Sequence, residues 1–343
     1  MSAGANHALR HGVALSRMDH VHCVGVYGLD ALDVIDRLIP RDLFLRDGMA
    51  TQSLLLNEDA TVFADVTVVA DDEDFLLLCE GPERAALLDV ARAAVGEGEE
   101  AEVRDLSQRW GVLSVSGPYA WELMSVYAGP EIVGLPYLHA VSLEDVICLR
   151  AGKTGEYGYD LLVPHDSVEA VSARLMALGA AFDIEEAGLD DLDAAAWENF
   201  FYSPRSEGLK GLNPAQLQLR WRATPGRTGY RGAAALNPLL EAPTTERLTC
   251  ALPESALPLG AVLRLEGRPV GRVVHTGEAP TLGAPLVYAL LETSVSHPGV
   301  ILDADGQRVR TVTPPVIRNR SLFVDRQRHR YQTRADDKLP ALT

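Results

Sequence analysis

The pattern of apolar residues changes at about residue 240, and this change limits the folds that the chain can adopt. Before it, runs of strand length alternate with runs of helical spacing, such as LDALDVIDRLI at residues 29–39. After it, short alternating runs recur at roughly ten-residue spacing, with turn signals such as Glu266-Gly267 between them. Regularly spaced short strands are typical of a small antiparallel barrel or sandwich. The sequence therefore predicts an α+β region up to residue 240 and an all-β region beyond it, with a boundary near Pro238 and Pro243.

One predicted hairpin carries an acidic residue inside an apolar strand. Residues 62–69 (VFADVTVV) alternate, and the turn ADDED leads to a second apolar run from Phe75 to Cys79. Asp65 shares a face of the first strand with Phe63 and Val69. A carboxylate there is unfavourable unless it is paired or used, and perturbed carboxyl groups are common in catalytic sites. Asp65 is therefore either a functional acid or an aspartate on an edge strand that faces water.

Charge and composition exclude several classes of protein. The 31 Lys and Arg residues and 48 Asp and Glu residues give a net charge of −17, whereas a duplex-binding protein usually carries a basic surface. No apolar run reaches the length of about 18 residues that a membrane span needs. The start, MSAGANHALRH, lacks the apolar core of a signal peptide, and the four cysteines form no C-x-x-C pair. We therefore expect a cytoplasmic protein with reduced thiols, and neither nucleic acid nor membrane as a partner.

The C-terminal end runs against the acidic trend. Six arginines crowd this segment: Arg318, Arg320, Arg326, Arg328, Arg330 and Arg334. By default such a terminal segment is predicted to be a flexible tail. The alternatives are a helix that packs on an acidic partner subunit and a clamp for an anionic ligand. A homo-oligomer is left open by the sequence.

Two other groups of residues have ordinary explanations. His20 and His22 share one face of a strand, but no third ligand has suitable spacing, so no metal site is predicted. The second group is aromatic and is expected to be helix core, with an aromatic wall for a planar substrate as the alternative. Its members are Trp197, Phe200, Phe201 and Tyr202.

Six segments, in this order along the chain, resemble the folate-dependent aminomethyltransferase family, the glycine-cleavage T-protein superfamily. They are GLDALDVIDRLIPRDL, SLLLNEDATVFADVTVV, DLSQRWGVLSVSGPYAWELM, AGKTGEYGYDLLV, AGLDDLDAAAWENFF and VGRVVHTGEAPTLG. The resemblance implies a three-domain cloverleaf around a central channel that holds tetrahydrofolate. The expected domains are residues 1–50 with 140–240, residues 51–139, and a C-terminal antiparallel β-barrel at 241–317, followed by an Arg-rich tail at 318–343.

The same resemblance implies roles for individual residues. The family places a carboxylate beside the reacting nitrogen atoms of the folate, and Asp65 occupies that position here. The residues expected to bind the cofactor are Asp160, Lys153, Glu80 and Val69, and those expected to bind the substrate are Leu192 and Tyr202.

Several of these positions depart from the family pattern. Asp160 stands where a glutamate recognises the pterin ring, so its side chain is one methylene shorter. Lys153 replaces a tyrosine of the pocket, and a lysine is a point charge that cannot stack like a ring. Glu80, or Glu83 if the register differs, replaces an asparagine, while Leu192 and Ala196 replace two arginines.

The departures change the activity that the resemblance implies. We expect a tetrahydrofolate-dependent transferase that moves a methyl or methylene group to or from a specialised small molecule. Glycine cleavage, and with it a lipoyl protein partner, is not expected, because both arginines and the asparagine are absent. One alternative is a non-catalytic folate-binding assembly protein. The other is an enzyme of the same fold that has lost folate and uses the channel for another ligand.

Overall fold

The computed structural model describes residues 3–72 and 74–341. The helices are α1 (Ala3–His11), α2 (Ala31–Leu38), α3 (Arg84–Ala93), α4 (Ala120–Ala128), α5 (Val168–Gly179), α6 (Leu189–Glu198) and α7 (Ala233–Glu241). The strands are β1 (Ala14–Arg17), β2 (His22–Tyr27), β3 (Ala50–Leu56), β4 (Val62–Asp71), β5 (Asp74–Glu80), β6 (Glu102–Asp105), β7 (Trp110–Ser116), β8 (Ala140–Leu143), β9 (Val146–Leu149), β10 (Gly158–Pro164), β11 (Glu185–Glu186), β12 (Glu246–Pro253), β13 (Val262–Leu265), β14 (Arg268–Ala279), β15 (Ala284–Glu292), β16 (Ile301–Ala304) and β17 (Gln307–Thr311).

The strands of the described residues form two open sheets and one closed barrel. The first sheet has the order β11-β1-β7-β10-β9-β8, and the second has the order β3-β4-β5-β2-β6. The barrel has the order β12-β15-β14-β13-β16-β17. The change of pattern near residue 240 therefore marks a real change of architecture, and the predicted C-terminal antiparallel barrel is confirmed. The α+β class predicted for the rest of the chain is also confirmed.

The predicted hairpin around Asp65 consists of β4 and β5. Asp65 pairs with Glu80 in the register of these strands and with Leu54 of β3 on the other side. Because β4 lies between β3 and β5, Asp65 is on an interior strand of its sheet. The edge-strand interpretation of this aspartate is therefore wrong.

Residues 1–50 together with 140–240 were expected to form one domain, and residues 51–139 a second. The observed strand pairing groups the residues differently. β2 was expected in the first segment, but it pairs with β5 and β6 of the second sheet. β7 was expected in the second segment, but it pairs with β1 and β10 of the first sheet. The apolar pattern of a strand identifies its buried face but does not identify its partner strand, so these boundaries need correction. The barrel strands run from Glu246 to Thr311.

The Arg-rich segment packs on the first sheet, so the expectation of a flexible tail is corrected. Val324 and Tyr331 belong to the same buried cluster as Leu113 and Tyr159. Glu156 accepts hydrogen bonds from the backbone N–H groups of residues 320 and 321. The arginines suggested an exposed tail, and the charge of the segment gives no indication that Val324 and Tyr331 are buried.

No helix in the described part of the chain is long and apolar enough to cross a membrane.

Val324→Ala provides a direct test of this packing. The substitution removes two methyl-sized groups from a side chain that is 4% exposed, so we expect unfolding free energy to fall by about 2 kcal/mol. Urea unfolding would measure it. Leu322→Ala is the matched control, because Leu322 is 73% exposed and its loss should change stability by less than about 0.5 kcal/mol. Equal stability of Val324→Ala and the natural chain would mean that the segment is loose.

Candidate functional site

A cavity lies where the two open sheets meet helix α6. It has a volume of about 790 Å³, counting the solvent at its mouth. The first sheet and the loop before β10 contribute Ser114, Asp160 and Lys153, and the second sheet contributes Thr67 and Glu80. Helix α6 contributes the side chains of its inner face, beginning with Leu189 and Leu192. Polar groups on three separate elements therefore converge on one apolar-walled space, which is the usual form of a ligand site.

The loop before β10 carries Lys153 into this site. Gly155 has φ +78°, and a Cβ at this position would lie 2.3 Å from Asn199 Oδ1. Gly158 approaches the backbone equally closely, because a Cβ there would lie 2.2 Å from the carbonyl oxygen of Ala151. Only glycine fits both positions. The glycines of AGKTGEYG thus let the loop fold tightly against the end of α6 and present Lys153 to the cavity.

Asp65 is buried and is held by two cations. Lys153 Nζ donates to Asp65 Oδ2 at 2.9 Å, and Arg222 Nη1 donates to Asp65 Oδ1. The Asp65 side chain is only 5% exposed, so these partners offset the unfavourable burial of its charge. Lys153 is among the described residues that line the cavity, and Asp65 is not. The lysine ammonium therefore stands between the expected acid and the cavity.

Lys153 also binds Glu80, which is the centre of a second set of ion pairs. Lys153 Nζ lies 2.5 Å from Glu80 Oε1, Arg205 donates to Glu80 Oε2, and His20 Nε2 lies 3.5 Å from that oxygen. Burial disfavours the ionised carboxyl, but Lys153, His20 and Arg205 hold the pKa of Glu80 well below its ordinary value. Burial lowers the pKa of Lys153, but Asp65 and Glu80 together raise it above its ordinary value. Lys153 is therefore an ammonium ion at neutral pH.

Asp160 differs from the other carboxylates of the site. Its Oδ1 is buried and has no hydrogen-bond partner among the described residues. Burial raises the pKa of Asp160 to about 6, with Glu80 acting in the same direction and a hydrogen bond from Ser114 opposing it. Strand pairing explains the contact with Ser114, because residues 160 and 114 are register partners in β10 and β7. Asp160 is thus a carboxyl group that is free to accept hydrogen bonds from a ligand.

Of the remaining residues expected to bind cofactor or substrate, two line the cavity and one does not. Leu192 and Tyr202 both line the cavity. Val69 is corrected: it does not line the cavity but is buried beside Leu76 and Leu78, in an apolar cluster that borders the cavity, and Thr67 lines the cavity in its place. Alternate residues of a strand share a face, but β4 extends beyond the cavity, so the same face becomes core further along.

Sequence reasoning missed Arg205 and Arg222. Both come from the irregular segment between α6 and α7, where no periodicity predicts which side chains turn inward. Arg205 bridges Glu80 and Asp193, and Arg222 is a 2%-exposed partner of Asp65. A buried carboxylate requires a cation, so the need for such a partner was predictable, but its position in the chain was not.

The aromatic group expected to be helix core is divided between two roles. Trp197 and Phe200 pack against the cluster that joins α6 to the barrel, and Phe200 makes an edge contact with Tyr288 at 4.9 Å between ring centroids. Tyr202 is a buried member of the same cluster and also lines the cavity. In the described residues no group of three or more His, Cys, Asp or Glu side chains is arranged to hold a metal ion.

A solved structure with the same fold identifies the class of protein. The crystal structure of glycine cleavage system aminomethyltransferase T from Bartonella henselae superposes with a TM-score of 0.81, at 22% identity, and the match covers 92% of this chain and 89% of that chain. The two proteins therefore share a fold, and the expected T-protein architecture is confirmed.

A family model and named relatives then identify the family. The model described as the GCVT N-terminal domain matches residues 2–225, more than half of the chain. The chain therefore belongs to the GCVT family. An aminomethyltransferase of Chlorobaculum tepidum is 23% identical over 301 residues, covering 85% of this chain and 82% of that protein. An aminomethyltransferase of Frankia alni is 27% identical over 329 residues, and the match covers 90% of this chain and 87% of that protein. These names agree with the expected class of enzyme, and none of them describes an assembly protein.

Proposed function

We propose that this protein is a tetrahydrofolate-dependent one-carbon transferase. The observation that carries the proposal is Oδ1 of Asp160, a buried carboxyl oxygen without a partner among the described residues, in a cavity where the neighbouring carboxylates are ion-paired. The edge of a pterin ring presents adjacent N–H donors, and an ionised carboxylate can accept two of them side by side. Membership in the GCVT family and the names of its relatives support the same ligand. The shorter side chain of Asp160 places the ring closer to β10 than a glutamate would.

Lys153 determines the charge that faces the reacting atoms. Tetrahydrofolate, when bound, supplies the nitrogen atom that exchanges the one-carbon unit. Asp65 and Glu80 take two of the three N–H donors of Lys153, and the third is free for a ligand in the cavity. A cation at this point stabilises negative charge that develops nearby and disfavours positive charge.

This charge favours a specialised donor such as a methyl ether. When the bond between the methyl carbon and the donor oxygen breaks, the oxygen keeps the electron pair and the carbon forms a new bond to nitrogen. Lys153 donates a hydrogen bond to that oxygen as its charge develops. The oxygen then takes the proton that the accepting nitrogen releases, so atoms and charge balance. A donor on which positive charge develops would be repelled by the same ammonium.

The titration of Asp160 gives an experimental test of folate recognition. A pterin that donates to Asp160 requires the ionised carboxylate, whose pKa is about 6, so affinity should rise with pH through that value. We expect tetrahydrofolate to bind about tenfold more tightly at pH 7.5 than at pH 5.0, as measured by calorimetry. Asp160→Asn should bind more weakly and show no such dependence. Identical pH profiles for the two proteins would refute the proposed role of Asp160.

The state of the cysteines supports a cytoplasmic location. Cys23, Cys79, Cys148 and Cys250 are all buried and unpaired. Burial raises the pKa of each thiol, so none is a reactive thiolate at neutral pH. Four unpaired thiols suit a reducing compartment.

A further inference from the structure

A second cavity adjoins the first at Tyr202, which lines both. It lies between the irregular segment after α6 and the barrel, and its volume is about 1050 Å³, counting the solvent at its mouth. Aromatic side chains of Phe200, Phe201 and Trp221 form part of its wall, and three prolines form another part. Flat rigid walls of this kind suit a planar ligand, because little side-chain entropy is lost when one binds.

The charge of this cavity is opposite to that of the chain as a whole. Arg247 lines it, as does Arg222, whose charge is already paired with Asp65, and none of the described lining residues is acidic. Arg247 donates to Ser296 through Nε at 2.6 Å and through Nη2 at 2.9 Å. These contacts fix the plane of the guanidinium without neutralising it, and no carboxylate in the described residues pairs with Arg247. A partly buried arginine without a counter-ion attracts an anion.

Two residues of the wall have a backbone conformation that costs free energy. Phe200 has φ +64° and Gln218 has φ +60°. Phe200 follows the last turn of α6, where the N–H of Phe201 donates to the carbonyl of Ala196 at 3.0 Å. Glycine is the usual residue at this point of a helix end, because it adopts positive φ without strain. The Phe200 ring makes an edge contact with Tyr288 and also borders the cavity, and unfavourable backbone of this kind concentrates at ligand sites.

We propose that this second cavity binds a small planar organic anion. Its ring would lie between the aromatic and proline walls, and its carboxylate would accept hydrogen bonds from Arg247. The inference goes beyond the proposed function, because it depends on Arg247 and the barrel and not on Asp160 or Lys153. A ligand held there would lie next to the first cavity, with Tyr202 between them.

Benzoate is a suitable probe, and benzamide is its matched neutral control. Calorimetric titration of the full chain should show that benzoate binds about tenfold or more tightly than benzamide, since a charge-assisted hydrogen bond is stronger than a neutral one. Arg247→Gln should reduce the affinity for benzoate to that for benzamide, while Arg247→Lys keeps part of the difference. Arg310→Gln changes an exposed arginine of the barrel surface and should leave benzoate binding unchanged.

Two further measurements keep the test decisive. Trp221→Ala alters a wall residue that is 55% exposed, so it should fold normally and weaken benzoate binding about threefold to tenfold, even if Arg247→Gln does not fold. Tetrahydrofolate affinity should be the same in Arg247→Gln and the natural chain. Equal affinities for benzoate and benzamide, or unchanged benzoate binding in both variants, would overturn this inference. Failure of tetrahydrofolate alone to bind would overturn the proposed function and leave this site intact.

Discussion

Asp65→Asn is expected to slow one-carbon transfer to tetrahydrofolate by about 10²-fold to 10³-fold. The substitution removes the charge that holds Lys153 at 2.9 Å, so the ammonium is no longer fixed where negative charge develops. The effect should fall on kcat, and KM for tetrahydrofolate should stay within about threefold, because Asp65 does not line the cavity. Mass-spectrometric detection of the modified folate, with a panel of methyl ether and N-methyl donors, would measure the rates.

This variant needs a control for stability. Asp65→Asn also leaves Arg222 without its carboxylate, and breaking a buried ion pair costs about 3–5 kcal/mol. Asp65→Glu keeps the charge and should recover part of kcat. Val324→Ala is destabilised in the C-terminal segment and should turn over at the natural rate while it remains folded. If Asp65→Asn turned over at the natural rate, Asp65 would have no part in the reaction.

Arg10→Met is expected to lower the free energy of unfolding by about 3–5 kcal/mol. Arg10 is 1% exposed and joins several parts of the chain. Its Nη1 donates to the carbonyl of Thr154 at 2.6 Å, and its Nη2 donates to Glu198 Oε2 at 2.9 Å. Glu198 in turn accepts from the backbone N–H of Thr281 in the barrel at 2.6 Å. The substitution would leave Glu198 and Glu156 buried without their cation.

Urea unfolding would measure this loss, and an exposed ion pair of the barrel provides the control. Arg268 pairs with Glu292 at 2.7 Å, and its side chain is 57% exposed. Arg268→Met should therefore change stability by less than about 1 kcal/mol. A similar small change for Arg10→Met would show that the buried network does not connect α1, α6 and the barrel as described.

The sequence predicted the parts of the site that depend on local pattern. A carboxylate in an apolar strand was expected either to be paired or used, or to face water from an edge strand, and the interior position of Asp65 agrees with the first expectation. The resemblance of AGKTGEYGYD to the family loop implied that Lys153 and Asp160 would bind one cofactor, and both line the same cavity. These features depend on residues that are neighbours in a strand or a tight loop.

The remaining parts depend on contacts between distant segments. Arg222 meets Asp65 across 157 positions of the chain, from a one-turn 3-10 helix in the long connection between α6 and α7. The pairing of β2 with β5 and the packing of Val324 on the first sheet likewise depend on which surfaces meet in three dimensions. Periodicity identifies an apolar face, but it contains no information on the surface that covers it.

A crystal structure of the protein with tetrahydrofolate and a methyl ether donor would test the central claim most directly, through the distance from the donor oxygen to Lys153 Nζ. Our account predicts the pterin in the first cavity, with its N–H donors on Asp160 and the donor oxygen about 3 Å from the ammonium. A pterin bound outside this cavity, or a donor oxygen that lies beyond the reach of Lys153, would contradict it.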